Sequence, residues 1–206
     1  MEIGFHTFPS GKQYVYVKEP ESKNRVFLRN IIFLCHAHDP AKFAVVREWQ
    51  ATSDRNVWEP PKGQMEWKEL KESGLRSGSH ITPAELAKHM RAGVLREMTE
   101  EAKILPSEIR DLTMIPLAYT QDWPEAKAQF RYQFWKAIIT NSTMLEAQKR
   151  IKELVNNPEW ALYLPPDMCE KDAIVWWSPP DWNMIRGEFS QKMTRMFVDW
   201  VKRHGV

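Results

Sequence analysis

Apolar residues along the chain fall into two rhythms, short β-prone runs and positions spaced three or four apart, and together they predict most of the elements. Gln13-Tyr14-Val15-Tyr16-Val17 reads as a strand, and Val26 to Cys35 as a longer one. A turn at Asp39-Pro40 leads to Phe43-Ala44-Val45-Val46, its predicted hairpin partner, and a polar loop then runs from Gln50 to Pro61. Thr82-Pro83-Ala84-Glu85 has the form of a capping box with proline at the first helical position, which predicts a helix to about Lys103. Along it Leu86, Met90, Val94, Met98 and Ala102 recur every four residues and form a ridge that must pack on something, most simply a sheet. Strands at Leu112–Thr120 and Phe130–Ile139, a polar helix at Ser142–Val155, a strand at Ala173–Trp177 and a helix from Gly187 to about Arg203 complete the pattern. On the last helix Phe189, Met193, Met196, Phe197, Trp200 and Val201 lie at helical spacing, a stripe read as core.

Length changes the picture only by limiting it. At 206 residues with 43% hydrophobic and 27% charged positions, 1–206 is expected to be one α/β domain. It would carry an N-terminal extension at 1–27 and a C-terminal helix at 187–204. Twenty-nine basic residues against twenty-seven acidic ones leave +2, too balanced to mark a dedicated binder of nucleic acid or anionic membrane. The longest apolar run, Ile31 to Cys35, is far short of a membrane span, and the Met1 end lacks a signal-peptide core. The expectation is a soluble, cytoplasmic protein. Cys35 and Cys169 have no metal-ligand spacing and read as buried free thiols, and His36, His38, His80 and His89 read as structural or solvated.

Chemistry concentrates in Arg96-Glu97-Met98-Thr99-Glu100-Glu101, where three glutamates at i, i+3 and i+4 share an arc of roughly 100° beside the apolar ridge. Left as a solvated charge run they would repel by about 0.2–0.5 kcal/mol per pair. A hard divalent cation turns that repulsion into ligation, since Mg²⁺ prefers carboxylate and water oxygens and bridges to substrate phosphates.

Gly63, five residues, Glu69, and then Arg96-Glu97-Met98-Thr99-Glu100-Glu101-Ala102-Lys103-Ile104 resemble the Nudix box, G-x5-E-x7-R-E-U-x-E-E-x-G-U with U apolar. Two departures stand out: residues 70–95 occupy a gap where the pattern has seven positions, and Lys103 replaces the glycine. Trp58-Glu59-Pro60-Pro61-Lys62-Gly63 is similar to the lead-in of the Nudix branch that hydrolyses diadenosine tetraphosphate. The resemblance implies a Nudix-type α/β/α sandwich with a mixed sheet. It also implies a Mg²⁺- or Mn²⁺-dependent pyrophosphohydrolase that cleaves a phosphoanhydride of a nucleoside or dinucleoside polyphosphate by water attack on phosphorus.

On that resemblance Glu97, Glu100 and Glu101 are the metal-binding carboxylates, one of them able to activate water, and the Gly63 carbonyl can complete the metal shell. Arg96 and Glu69 orient them, and Lys62 could hold a phosphate as a point charge. A fourth acidic ligand is open among Asp122, Glu125, Glu170 and Asp172. For base recognition Trp123, Tyr132, Trp135, Tyr163, Trp176 and Trp182 are candidates. The same box would serve mRNA decapping or diphosphoinositol-polyphosphate hydrolysis, and the insertion with Lys103 would suit a catalytically silent binding module. Arg186, Lys192, Arg195, Lys202 and Arg203 give a mild basic bias that leaves RNA contact open. The insertion itself is expected to lengthen the glutamate-bearing helix by about three turns and to place a mobile loop, Ser73 to Ser79, over the substrate.

Overall fold

In the computed structural model, which describes residues 1–205, the chain enters a mixed sheet at once through a hairpin of β1 (Ile3–Thr7) and β2 (Gln13–Lys18). The N-terminal extension thus contributes two strands to the sheet. Strand β1 has too little alternation to be read from its sequence, and it is held by Val17 opposite Ile3 and by the buried Ile3 side chain.

Strand β3 (Arg25–His36) is central. Its odd and even positions point to opposite faces, so Leu28, Ile32 and Leu34 enter one core while Ile31, Phe33 and Cys35 enter the other. A two-residue turn at Ala37-His38, earlier than the expected Asp39-Pro40, leads into β4 (Asp39–Glu48). Short strands β5 (Trp58–Glu59) and β6 (Lys62–Gln64) follow, with Gly63 opposite Asn30 of β3. Helix α1 (Trp67–Glu72) precedes α2 (Pro83–Ala102), whose N-terminus has the predicted capping box. Thr82 Oγ1 accepts from Glu85 N at 3.2 Å, and Glu85 Oε2 accepts from Thr82 N at 2.8 Å.

Strands β7 (Arg110–Trp123) and β8 (Ala128–Ile139) pair antiparallel, and β8 runs parallel to β3 along its whole length, from Arg25 opposite Ala128 to His36 opposite Ile139. Helix α3 (Asn141–Asn156), strand β9 (Lys171–Trp177) on β4, and helix α4 (Gly187–His204) complete the fold. Helices α2 and α3 cover one sheet face and α4 the other, the three-layer arrangement with a mixed sheet that the sequence led one to expect. The stripe on α4 is core, with Met193 and Phe197 fully buried and Phe197 stacked on Phe33 at 3.7 Å between ring centroids. Each such ring contributes about 1.5–3 kcal/mol of burial. Among the described residues no helix is long and apolar enough to cross a membrane. Cys35 is buried and its thiol is pushed up to about 12 by that burial, whereas Cys169 is only half-buried.

The insertion corrects one expectation. Residues 83–95 form the N-terminal part of α2, and the loop before it is stapled to β1. Gly78 N donates to Ile3 O at 2.8 Å and Ile3 N to Ser79 O at 2.9 Å. Glu97 lies fourteen positions beyond Pro83, about 20 Å at 1.5 Å per step, so the loop sits at the far end of α2 from the glutamates.

Candidate active site

The C-terminal half of α2 lies against β6, and the contact is close because position 63 is glycine. A Cβ on Gly63 would overlap the Glu97 carboxylate. This juxtaposition opens a cavity of about 130 Å³ walled by six carboxylates, Glu66, Glu97, Glu100, Glu101, Asp167 and Glu170, against three cations, Lys12, Lys62 and Arg96. The sequence-predicted Gly63, Glu97, Glu100, Glu101, Arg96 and Lys62 are thus brought together. None of residues 70–95 lines the cavity, so the insertion does not cover it as a lid.

Arg96 is the hub. Its Nε donates to Glu69 Oε1 at 2.6 Å, Nη2 to Glu97 Oε1 at 2.7 Å, and Nη1 to Glu100 Oε2. Burial disfavours its charge, yet Glu97, Glu69 and Glu100 raise its pKa and keep it protonated. One guanidinium does not neutralise the group. Burial pushes the Glu97 carboxyl up to about 8, with Arg96 the largest opposing influence and Glu101 and Glu100 adding to the rise. The Glu100 and Glu101 carboxyls are likewise raised, chiefly by burial.

Glu101 is 4% exposed and has two partners: Lys62 N donates to its Oε2 at 2.8 Å, and Lys171 Nζ lies 3.1 Å from its Oε1. Lys171 also donates to Glu59 Oε1 at 2.9 Å, and the Lys62 ammonium is paired with Glu59 too. Lys62 therefore touches the glutamates through its main chain, while its side chain sits on Glu59 at the cavity edge.

Among the described residues no three His, Cys, Asp or Glu side chains already converge to clasp a metal ion. The donor set nonetheless fits a hard dication. It is all carboxylate oxygen, acids outnumber bases two to one in the cavity, and burial raises the Glu97, Glu100 and Glu101 carboxyls, a cost that a bound cation would offset. Glu97, Glu100 and Glu101 would hold the ion, with Gly63 beside Glu97. Of the four candidates for a further acidic ligand, Glu170 lines the cavity. Asp172 is taken by Arg47 at 2.8 Å, and Asp122 borders a separate cavity where it accepts from Gln129.

Lys103, where the box has glycine, adopts the left-handed backbone that glycine would supply, with φ 56° and ψ 29°. Its buried ammonium donates to Glu100 O and, at 2.6 Å, to Met168 O, which ties the helix end to the segment carrying Asp167 and Glu170.

Sequence reasoning missed Lys12, Tyr14, Glu66, Asp167 and the Glu59–Lys171 pair. Glu66 could have been found, lying as it does between Gly63 and Glu69. Lys12, which binds Asp167 at 2.6 Å, and Lys171 lie far from the box along the chain and carry no local signal. Of the candidate aromatics, Tyr132 and Trp123 line neighbouring cavities, Trp135 is buried with its Nε1 donating to Asn30 Oδ1 at 2.8 Å, and Tyr163 is exposed.

No family model and no curated protein sequence matches the chain. Among solved structures it is similar to the pyrophosphohydrolase BsRppH of Bacillus subtilis, with 10% identity, coverage of 98% of this chain and 97% of that one, and a TM-score of 0.48. It is similar also to the NUDIX domain of Shewanella oneidensis NrtR complexed with ADP ribose, with 13% identity, 89% and 93% coverage and a TM-score of 0.46. A third is the Ap4A hydrolase of C. elegans, with 15% identity, 85% and 98% coverage and a TM-score of 0.41. At these scores the likenesses carry no chemistry across to the cavity, which has to be judged on its own residues.

Proposed function

We propose that this chain is a divalent-metal-dependent hydrolase of the Nudix type that cleaves a phosphoanhydride bond of a nucleoside or dinucleoside polyphosphate, with water attacking phosphorus. One observation carries the reading: the glutamates of the box-like segment meet Gly63 in a cavity with six carboxylates and three cations, a charge balance suited to metal and phosphate together. Mg²⁺ or Mn²⁺ held by Glu97, Glu100 and Glu101 would supply charge neutralisation on the phosphate oxygens and a lowered pKa for bound water.

The chain's own groups do the rest. Arg96 holds Glu97, Glu100 and Glu69 in one orientation, so the carboxylates are pre-positioned. Lys12 and Lys62 stand at the cavity wall where a phosphate would present its non-bridging oxygens. Of Glu97, Glu100 and Glu101, one not fully spent on the metal would be placed to take a proton from the attacking water.

Glu101→Gln and Glu100→Gln should each lower turnover at least a hundredfold with an unchanged circular dichroism spectrum, since an amide is a poor ligand for a hard dication. A chelator should silence the wild type. Near-wild-type rates in either variant at saturating Mg²⁺ would sink the assignment, and product analysis in ¹⁸O-labelled water should place the label in a phosphate. A binding module without turnover is the second reading, favoured by the pairing of Glu101 with Lys171. Calorimetric Mg²⁺ binding without hydrolysis of any polyphosphate would select it.

A further inference from the structure

Phe189 of α4 packs on Tyr132 of β8 at 4.7 Å between ring centroids, and past it the same sheet face continues to Arg29 of β3 and Phe130 of β8. Two more cavities lie along it. One, about 180 Å³, shares Tyr14, Lys62, Gly63 and Gln64 with the acidic cavity and reaches Arg29. The next, about 270 Å³, begins at Arg29 and ends between Phe8, Trp123 and Phe130. By strand register Gly63 stands opposite Asn30 and Phe130 opposite Phe27, three residues apart on β3. The channel thus runs about 10 Å from Gly63 to the aromatic end.

Its chemistry changes along the way. Arg29 donates to Gln64 Oε1 at 3.0 Å and to Tyr132 Oη at 2.6 Å, and among the described residues it has no carboxylate partner. Because Arg29 takes the oxygen of the Gln64 amide, the Nε2 of that side chain is fixed as a free donor. Gln64 is 8% exposed, and its Nε2 has no hydrogen-bond partner. A guanidinium and an amide donor, both without an anion, meet at the middle of the channel. The Arg29 guanidinium lies over the Phe130 ring at 4.4 Å, Trp123 stacks on that ring at 5.7 Å, and Phe8 of the N-terminal hairpin is 6.4 Å from Trp123. Asp122 at that far rim repels phosphate, so an anionic ligand must keep its charge on the Arg29 side and its neutral, planar part on the aromatic side.

We propose that this channel binds a nucleoside 5′-polyphosphate lengthwise, with Arg29 and Gln64 holding a phosphate remote from the bond cleaved and Trp123, Phe130 and Phe8 receiving the base. The inference rests on the hydrolase reading of the acidic cavity, and it narrows the substrate to one with a base, against inorganic or inositol polyphosphates. The N-terminal hairpin then acts as a specificity element, since it contributes Phe8 and Tyr14.

The test compares equilibrium binding of ATP and of inorganic tripolyphosphate, which has the same phosphate chain without ribose or base, by calorimetry in Ca²⁺. Wild-type protein should bind ATP at least fivefold more tightly. Trp123→Ala and Phe8→Ala should each bring that ratio close to one, whereas Trp160→Ala, at an exposed side chain outside the channel, should keep it. No preference in the wild type, or a preference retained in Trp123→Ala, overturns the proposal, and if Trp123→Ala fails to fold, Phe8→Ala decides. Turnover measured in parallel separates the two readings. The expected binding pattern without hydrolysis sinks only the hydrolase, and hydrolysis of ATP and tripolyphosphate at equal rates sinks only the base subsite.

Discussion

Lys171 is 5% exposed and lies between Glu59 and Glu101, so it is the counter-charge for two buried carboxylates at once. Lys171→Met should cost about 3–5 kcal/mol in urea unfolding, because it leaves Glu101 buried without an ammonium partner and Glu59 with Lys62 as its remaining close cation. Burial alone would raise the Glu59 carboxyl, but Lys62 and Lys171 hold it at about 2 against an ordinary 4.5. A depressed carboxylate stabilises the fold above its unfolded value and loses that contribution as pH falls through its folded one. Urea midpoints should therefore drop between about pH 4.5 and 2, and Glu59→Gln should flatten that segment of the profile. At Gly63 the limit is steric rather than electrostatic. Gly63→Ala should displace the Glu97 carboxylate and reduce turnover at least tenfold, with the melting temperature as the check that the fold persists. Of these residues the sequence pointed to the helix glutamates through their local spacing and to Gly63 through its motif's resemblance to the Nudix box. It could not point to Lys171, whose importance comes from β9 pairing with β4, with Lys171 opposite Glu48.

Helix α2 was the most legible element, since proline, capping box and four-residue ridge all agree, and its observed limits, Pro83–Ala102, match them. Strands β3 and β8 were legible for the same reason of strong local preference. Strand β1, the two-residue β5 and the three-residue β6 were not, because what holds them is pairing and packing with distant segments. The same holds for the loop after α1: its glycines and serines announce a turn but not the β1 edge on which it lies. Within α2, Gly93 breaks the otherwise good helical sequence, and a Cβ there would meet Asn30 and Glu69 at ordinary contact distances of 3.6–3.7 Å. Gly93→Ala should therefore stabilise the protein by about 0.5–1 kcal/mol, measured by chemical denaturation. A loss instead would mean that the approach of Glu69 toward Arg96 needs the space.

For the molecule as a whole, α4 is the only helix over its sheet face among the described residues, and Phe33, Phe43 and Phe134 lie beneath it. Removing 187–205 should leave a chain that is insoluble or binds hydrophobic dyes, which expression and dye fluorescence would report. The central pairing has a consequence of a different kind, one of timing. Strand β3 is covered only in patches by the segments made soon after it. Strand β6 pairs just Arg29–Ile31, and β4 just Cys35–His36. Its full-length partner β8 lies about a hundred positions further on, Arg25 meeting Ala128. A ribosome adding roughly 5–20 residues per second needs about 5–20 s to reach it. Through that interval Ile31-Ile32-Phe33-Leu34-Cys35 is an apolar strand with an open edge, so the middle of this sheet is where a nascent chain would first require protection by a chaperone.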